Sequence, residues 1–527
     1  MTAKDQFGKQ LKAGEAFTPR VDDGSFYVTL ALQRLFRIAQ KPRLAQGTAF
    51  PVTVAICLLT AIPLPSLAQW GSYGTLPCTD ANVRYASSSN RLYIENDALC
   101  TLEEVSAIRP SQIVRTTGDE PDTGDTFFLN VNLFVEDGSA LRIWGPRAGG
   151  AVGAFLLKSN NDPPAGNYVF VRAHWGHIDI RSTRVMSWDE AAGTVDMEYA
   201  DFGRAYLQAR SFQGGGSRYE SIMDIHDSDI GYLGHLDSEA YGLSWKALGP
   251  LEDLESLNVY GQVSGNIIHH NYFGAYTYGA RDMLFTENKI HSNVVYGLDP
   301  HDDSDFVQIT NNAVYGNGRH GIICSKRCNG IAVSGNRVYS NGGHGIMLHR
   351  QVDDSLVEDN EVYDNVMSGI ILFDSDRNVV RNNRLRRNGD GIKLSVGASD
   401  NVVENNTVED SLRYSLYVVR GSDLPSRNDG RPTNNVFRNN LIRGSVTAAV
   451  RASGGGSNKY LANRIRGGTK MVRISNTEHT EFLGDKGRES FVISGTETMP
   501  SHVEYRGSRE PGVELRDAYS SFEYVGR

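Results

Sequence analysis

The sequence predicts an all-β protein, a right-handed parallel β-helix with irregular N-terminal coils or a cap and a C-terminal cap. Three observations predict this fold: a unit that repeats every 23 or 24 residues, short apolar strands in each unit, and one asparagine at the same place in each unit. The anchoring asparagines are Asn288, Asn312, Asn336, Asn360, Asn383 and Asn406, followed after a longer insertion by Asn440 and Asn463.

Each repeat has the composition of one coil of a solenoid. An apolar-x-x-Asn-x-apolar core is followed by a second apolar strand such as GIICS, GIMLH, GIILF or GIKLS. The period is too short for a propeller blade, and the units lack the regular helix segment of leucine-rich repeats. Parallel coils stack at about 4.8 Å, so an inward asparagine can satisfy its amide from the coils on either side. We therefore interpret the ladder asparagines as structural residues.

Residues 1–68 have the pattern of an export signal. Basic residues such as Arg34 and Arg43 precede the apolar run FPVTVAICLLTAIPL, and Ser66-Leu67-Ala68 fits a small-residue cleavage site. This run is short for a membrane span and contains proline, so we expect no stable membrane insertion after processing. The expected location is outside the cytoplasm: secreted, extracellular, periplasmic or in the cell wall.

The chain divides into four predicted segments. These are a signal peptide with an N-terminal extension (1–68), a strand-rich cap with the first coils (69–205), the catalytic repeats (206–481), and a C-terminal cap or tail (482–527). The terminal segments are irregular, as the open ends of a solenoid require.

Charge and cysteine content restrict the partners and the compartment. The 53 basic and 62 acidic residues give a net charge of -9, which opposes general binding to nucleic acid or anionic membranes. A polyanionic substrate would need a local basic groove. Four cysteines follow residue 68, and in an exported protein their proximity in sequence predicts the pairs Cys78–Cys100 and Cys324–Cys328. Their spacing does not indicate a metal site.

One coil breaks the pattern with the run YGLDPHDD, from Tyr296 to Asp303. Sibling coils have an apolar strand at this place, whereas this run holds five ionisable side chains on a backbone stiffened by proline. Such a cluster is costly in a solenoid wall unless it has a function. The alternative is a solvated Asp-Pro turn.

The number of residues that separate a side chain from the ladder asparagine of its coil predicts which wall of the β-helix it lies on. This count predicts which side chains share a wall with the unusual run. The side chains that follow their own asparagine at nearly the same distance in sequence are His301, Lys326, Arg327, His349, Arg350 and Asp374. The same phase predicts a column of these side chains, one coil apart. A groove with Tyr296, Asp299 and His301 at its centre and cations beside them suits an extended acidic polymer.

These segments resemble mannuronan C5-epimerases, which convert β-D-mannuronate to α-L-guluronate within alginate. The resemblance rests on YGLDPHDDSD, HGIICSKRCNG, GIMLHRQVDDS, LGHLDSEAYGLSWK and GAYTYGARD, and it spans residues 225 to 480. It implies a single catalytic β-helix module that acts on alginate or polymannuronate. It also implies that Asp299 supports and orients His301, and that Arg327 or Lys326, with Lys246, meets substrate carboxylates.

The chemistry of epimerisation requires these residue types. The C5 hydrogen becomes acidic when a cation or a protonated acid neutralises the adjacent carboxylate. One group then removes the hydrogen from one face and another returns a proton on the opposite face. His301 and Tyr296 are the expected pair, and the near-neutral pKa of histidine favours His301 as the base. Lys326, His349, Arg350 and Asp302 are the expected substrate-binding residues; strand alternation would admit only one of Lys326 and Arg327 to the groove.

Two other classes of function remain open for this β-helix. An alginate or pectate-type lyase begins with the same abstraction but then eliminates the glycosidic bond. A non-catalytic polysaccharide-binding β-helix would not need the cluster at Tyr296, Asp299 and His301. A hydrolase would present converging acids instead. We expect no required cofactor and no metal ligands, and the sequence does not indicate a Ca²⁺ requirement.

Overall fold

The computed structural model describes residues 73–118, 123–161, 167–237, 240–249, 257–469, 471–483 and 489–526. The predicted signal peptide and extension (1–68) lie outside the described residues. Strands dominate the described chain, and only two short helices accompany them there: α1 (Leu102–Ile108) and a 3-10 helix (Pro146–Ala148). No helix in this part of the chain has the length and apolar character needed to cross a membrane.

The strands of the N-terminal part are β1 (Leu76–Pro77), β2 (Val83–Ala86), β3 (Arg91–Ile94), β4 (Ala98–Thr101), β5 (Ile113–Thr116), β6 (Asp125–Leu129), β7 (Asn132–Glu136), β8 (Ala140–Trp144), β9 (Val152–Lys158), β10 (Phe170–His174), β11 (His177–Arg181), β12 (Arg184–Asp189), β13 (Thr194–Val195), β14 (Tyr206–Gly214), β15 (Ser217–Tyr219), β16 (Ile222–His226), β17 (Asp229–Gly231) and β18 (Gly242–Leu248).

The strands of the central coils are β19 (Gln262–Ser264), β20 (Ile267–His269), β21 (Phe273–Tyr278), β22 (Leu284–Thr286), β23 (Lys289–His291), β24 (Leu298–His301), β25 (Gln308–Thr310), β26 (Ala313–Tyr315), β27 (Ile322–Ser325), β28 (Ala332–Ser334), β29 (Arg337–Tyr339), β30 (Ile346–His349), β31 (Leu356–Glu358), β32 (Glu361–Tyr363), β33 (Ser368–Phe373), β34 (Val379–Arg381), β35 (Arg384–Arg386) and β36 (Asp390–Ser395).

The strands of the C-terminal coils are β37 (Val402–Glu404), β38 (Thr407–Glu409), β39 (Tyr414–Val419), β40 (Val436–Arg438), β41 (Leu441–Arg443), β42 (Ala448–Ser453), β43 (Lys459–Leu461), β44 (Arg464–Arg466), β45 (Met471–Ser475), β46 (Thr480–Leu483), β47 (Ser490–Ser494), β48 (His502–Gly507), β49 (Gly512–Leu515) and β50 (Ser521–Gly526).

Each regular coil contributes one strand to each of three sheets, which we call A, C and B in the order the chain visits them. In the coil of the unusual run these strands are β22, β23 and β24, and each pairs in parallel with the equivalent strand of the next coil. This arrangement is a parallel β-helix, as predicted. The strands between β1 and β12 join the same three sheets, so the segment before residue 206 continues the solenoid.

The predicted asparagine ladder is present and buried. The backbone N–H and the side-chain Nδ2 of Asn336 both donate to Oδ1 of Asn360 one coil on, at 2.9 and 3.0 Å, and Nδ2 also donates to the Ile309 carbonyl. The same pattern runs from Asn266 to Asn463. Two further ladders, which the spacing analysis did not separate, consist of Asn271, Asn293, Asn317, Asn341, Asn365 and Asn388, and of Asn378, Asn401, Asn435 and Asn458.

Left-handed backbone makes the corner between sheets A and C. The residue just before each ladder asparagine has a positive φ, for example +57° at Asn311 and +57° at Asn405. Glycine, asparagine and aspartate tolerate this conformation best, which explains why they fill most of these positions. The corner turns the chain sharply and aims the next asparagine inward.

Inward side chains of the three sheets form one continuous core. Along sheet A the buried row is Val263, Phe285, Ile309, Val333, Val357, Val380, Val403, Phe437, Tyr460 and Phe482. Burying such side chains stabilises the coils by about 25 cal/mol per Å² of apolar surface, and each coil depends on its neighbours for that burial.

Helix α1 lies in the first coils and was not predicted. Thr101 caps it by accepting from the Glu104 N–H, while the Glu104 side chain accepts from the Thr101 N–H. This reciprocal capping box is visible in the sequence as Thr-x-x-Glu. Nearby, Cys78 and Cys100 form the expected disulfide.

The predicted Cys324–Cys328 disulfide is wrong. Both thiols are free and fully buried in the core. Cys324 lies on an inward position of β27, and the Cys328 Sγ–H donates to the Ser325 carbonyl at 3.1 Å. Proximity in sequence suggested a bridge, but the two side chains pack as small apolar groups.

We expect Asn406→Ala to destabilise the protein strongly. The change leaves the Asn383 N–H and Nδ2 without the Oδ1 they donate to, and each buried unsatisfied donor costs about 1–3 kcal/mol. Chemical denaturation should show a loss of about 2–4 kcal/mol. The matched control is Asn405→Gly, one residue earlier, where the side chain is exposed and φ is +57°. Equal stability of the two variants would contradict the role of the ladder.

Candidate active site

The unusual run lies on the outer face of sheet B. Along this face Lys246, Tyr278, His301, Ser325, His349 and Phe373 are in register, one residue per coil, and we call them the His301 row. Tyr276 and Asp299 are also in register, in a parallel row that we call the Asp299 row. Because Leu298 pairs with Ile322 one coil on, the next member of this row is Ile323. The row continues through Met347, Ile371, Lys393, Tyr417, Arg451 and Arg473. The expected alignment of His301 with His349 is confirmed.

Strand alternation explains how β24 presents its polar groups. Leu298 points into the core, so Asp299 and His301 face outward. Pro300 lies between them and has no N–H to donate to the neighbouring strand. Of this strand, only Leu298 and His301 pair with β27.

Asp299 is a buried carboxyl group at the bottom of the site. It is 3% exposed, and its Oδ1 accepts no hydrogen bond from the described residues. Burial raises its pKa to about 7; the charges of His301 and Lys326 act in the opposite direction, and Asp302 adds to the increase. Near neutral pH a substantial fraction of Asp299 is therefore protonated and able to donate a hydrogen bond.

His301 is oriented by Asp302, one residue along. Its Nδ1 lies 2.5 Å from Asp302 Oδ2. Burial alone would raise the pKa of Asp302, but His301, Lys326 and Arg327 together lower it, so this carboxylate is ionised. The contact is an ion-pair distance without hydrogen-bond geometry; because an ionised carboxylate only accepts, it suits the tautomer with the proton on Nδ1 and the lone pair on Nε2. The sequence predicted that Asp299 orients His301 and that Asp302 binds substrate. In the structure the carboxylate in contact with His301 is that of Asp302.

Lys326 and Arg327 both stand beside this pair. Arg327 donates to Asp303 Oδ1 at 2.9 Å and to Asp302 Oδ1 at 2.8 Å, and Lys326 Nζ lies 3.9 Å from Asp302 Oδ2. The expectation that only one of the two cations could enter the site does not hold. Both residues follow β27 in a left-handed turn, with φ of +58° and +60°, so strand alternation does not separate them.

Tyr296 precedes β24 and packs against the apolar cluster of Ile323, Met347 and Ile371 on this face, whereas His301 ends the strand. Its ring stacks on His320 with centroids 5.2 Å apart and contacts Phe273 at 5.0 Å. Burial and the charge of Asp299 raise its pKa, while the Arg319 side chain, which is hydrogen-bonded to it, acts against both.

The other expected binding residues lie further along the same face. His349 is neutral, because burial and the nearby cations lower its pKa to about 3, so it adds no positive charge to the groove. Arg350 donates to Asp423 at 2.7 Å and to the Leu424 carbonyl at 3.0 Å. Lys246 lies two coils before His301 in the His301 row, with Nζ 5.5 Å from the Tyr278 ring centroid.

The partner of Arg350 belongs to the insertion that lengthens the repeat between the ladder asparagines Asn406 and Asn440. Residues 420–431 follow β39 and fold back over earlier turns, where the Ser426 N–H donates to Asp374 and Arg427 pairs with Asp353. Arg350 and Asp374 lie on the wall where the phase counting put them. Their side chains are bonded to this insertion, Arg350 to Asp423 and Asp374 to the Ser426 N–H.

Sequence reasoning missed several residues of this face. Tyr276 is half-buried with its ring centroid 5.7 Å from that of His301, and Arg319 contacts Tyr296. The spacing in sequence could have predicted the cations of the Asp299 row. Each of them follows the ladder asparagine of its own coil by nearly as many residues as Asp299 follows Asn288. These cations are Lys393, Arg451 and Arg473, which follow Asn383, Asn440 and Asn463.

We expect the stability of Asp299→Asn, compared with that of wild type at the same pH, to increase as pH rises. The folded-state pKa of about 7 exceeds the unfolded value of about 3.9, so ionisation costs folding free energy between pH 4 and 7. The free energy of unfolding of the variant minus that of wild type should increase from pH 4.5 to pH 8 by an amount on the order of 2–4 kcal/mol. A pH-independent difference would contradict the buried titration.

Comparison with known proteins agrees with the fold and with the resemblance. The family described as "Right handed beta helix region" matches residues 250–360 and 301–465. The crystal structure of the periplasmic alginate epimerase AlgG superimposes with a TM-score of 0.57 and 20% identity, covering 72% of this chain and 84% of that chain. This similarity supports the right-handed parallel β-helix.

Two curated relatives match part of the chain. The mannuronan C5-epimerase AlgG of Azotobacter vinelandii is 32% identical over 138 residues, which are 25% of this chain and 24% of the relative. The mannuronan C5-epimerase of Pseudomonas aeruginosa is 34% identical over 134 residues, 24% and 23% of the two chains. The matched segment spans about a quarter of these relatives. The chain is therefore a right-handed parallel β-helix protein with a segment similar to mannuronan C5-epimerases.

Proposed function

We propose that this protein converts β-D-mannuronate to α-L-guluronate residues within alginate. The observation that carries the proposal is that one coil brings Tyr296, the buried Asp299 and His301 close enough for their charges to interact, with the cations Lys326 and Arg327 beside them. The resemblance of the surrounding segments to mannuronan C5-epimerases supports the choice of substrate.

Neutralisation of the substrate carboxylate is the first requirement. Removing H5 from a uronate places a second negative charge next to the C6 carboxylate unless that group is neutralised. Arg327 and Lys326 supply positive charge at one side of the site, and protonated Asp299 can donate a hydrogen bond from the bottom. In the proposed complex the substrate carboxylate lies between these groups.

Proton transfer on opposite faces is the second requirement. In this scheme His301 Nε2 takes H5, since a proton on Nδ1 suits the neighbouring Asp302 carboxylate. The imidazolium that forms is stabilised by the Asp302 carboxylate. The Tyr296 phenol then returns a proton to C5 from the other face, which inverts the centre. The side chains of the protein perform both transfers in this scheme.

The polymer lies along the sheet B face in the proposed complex. Coils repeat at about 4.8 Å, so successive positions of a row can meet successive sugars. Lys246 lies two coils to one side of His301, and Lys393 lies four coils from Asp299 on the other side. Burial lowers the pKa of Lys393, while Asp390 acts in the opposite direction. Carboxylates of the polymer would meet these cations as they repeat along the chain.

We place the protein outside the cytoplasm. The apolar run and cleavage site in residues 1–68 support export, and the relative with the similar fold is described as periplasmic. Alginate is the proposed partner.

We expect His301→Ala and Tyr296→Phe each to lower epimerisation of polymannuronate at least 100-fold, because proton transfer is lost while the cations that bind the polymer remain. Proton NMR of the polymer measures guluronate formation, and a separate assay measures binding. His291→Ala is the matched control, because His291 lies on sheet C.

Near-normal turnover by either folded variant would contradict the assignment. Unsaturated chain ends formed by wild type would instead identify a lyase, which shares the first proton transfer. Binding of the polymer with no chemical change would identify a non-catalytic module.

We expect Arg327→Ala to lower kcat at least 100-fold, because Arg327 lies one coil from His301 and stabilises charge that develops in the transition state. Arg350→Ala should raise KM only a few-fold, since Arg350 lies two coils away and is paired with Asp423. Steady-state kinetics of these variants and of Lys326→Ala compare the three cations. If none changes kcat more than a few-fold, the neutralising group lies elsewhere, with Lys246 the next candidate.

A further inference from the structure

The phenol of Tyr296 is held rigidly by its surroundings. The ring lies parallel to the His320 ring, with an interplanar angle of 6°, and packs against Phe273 and the apolar cluster of Ile323, Met347 and Ile371. Its only polar atom is the phenol oxygen, which is hydrogen-bonded to the Arg319 side chain. The fold therefore fixes where this oxygen lies and joins it to a guanidinium from the next coil.

Backbone contacts with both neighbouring coils place Arg319 beside Tyr296. The Arg319 N–H donates to the Val295 carbonyl at 2.7 Å, and the Arg319 carbonyl accepts from the Gly343 N–H at 2.6 Å. Gly318 permits this close approach, because a Cβ there would lie 2.1 Å from the Val294 carbonyl oxygen. The position of Arg319 is thus set by the coil register.

The charges around Tyr296 give this contact a chemical role. Burial and Asp299 both oppose loss of the phenol proton, and Arg319 favours it. His320 adds no charge, because burial and Arg319 lower its pKa to about 3. Tyr272, whose pKa burial raises to about 12, is also neutral. Among the described neighbours, Arg319 is the group that can balance a phenolate at Tyr296.

We propose that Arg319 is a positioning residue for Tyr296: it holds the phenol oxygen in place and balances the negative charge left when the phenol proton moves to substrate C5. This inference rests on the proposed epimerisation. In that step the Tyr296 O–H bond breaks and a C5–H bond forms, on the face opposite to His301. The resulting phenolate is paired with Arg319. The proton held by His301 goes to solvent, and Tyr296 takes one from solvent before the next turnover.

The test compares Arg319→Gln and Arg319→Lys with wild type, using polymannuronate in D₂O. If return of the proton from Tyr296 is slowed, His301 has longer to exchange its proton with D₂O and returns a deuteron to the intermediate from its own side more often. The ratio of deuterium found in remaining mannuronate to guluronate formed should then rise at least five-fold in Arg319→Gln. We also expect kcat of Arg319→Gln to fall at least ten-fold and its polymer Kd to change less than two-fold. Arg319→Lys should bring both kcat and the deuterium ratio part of the way back to the wild-type values.

Arg337→Gln is the matched control, because Arg337 donates to the Tyr363 phenol at 3.1 Å on sheet C. It should leave kcat and the deuterium ratio unchanged. A rise in polymer Kd of ten-fold or more in Arg319→Gln, or an unchanged deuterium ratio with lower kcat, would overturn the proposal. Failure of wild type to form guluronate would count against the proposed function instead, independently of the Arg319 variants.

Discussion

Hydrogen bonding between identical positions of successive coils is the constraint on which the rest of this structure depends. An asparagine within the main ladder receives two donors from the coil before it and donates two to the coil after it, as Asn336 does between Asn312 and Asn360. These bonds fix the register, and the register turns sequence positions one repeat apart into spatial neighbours. A row of side chains on the outer face is therefore a direct consequence of the buried ladder.

The proposed active site uses this register to bring opposite charges together. Asp302 and Asp303 lie one coil from Lys326 and Arg327, so the two cations keep the Asp302 carboxylate beside His301 ionised. Asp299 has no such partner at Oδ1 among the described residues, and burial raises its pKa to about 7. Two aspartates in one strand and turn thus have different protonation states. That difference supplies both an ionised orienting group and a protonated donor in a short stretch of sequence.

The regular part of the molecule was predictable from sequence because it repeats. The spacing of asparagines gave the ladder, and phase counting put His301 and His349 in one row. Prediction failed where the chain leaves the strand. Lys326 and Arg327 lie in left-handed turns, so alternation did not apply to them. Arg350 is held by an insertion 73 residues later that folds back over earlier coils, which no local pattern reveals. The contact of Arg319 with Tyr296 depends on side-chain packing between coils, and Cys324 and Cys328 lie close in sequence yet serve as core residues.

The central claim is that one proton leaves C5 and another returns from the opposite face while the polymer stays intact. The most direct measurement is incubation of polymannuronate with the wild-type protein in D₂O, followed by NMR and chain-length analysis. We expect guluronate residues that carry deuterium at C5, an unchanged chain length and no unsaturated ends. Guluronate that retains the original hydrogen, or chains shortened with unsaturated ends, would contradict it.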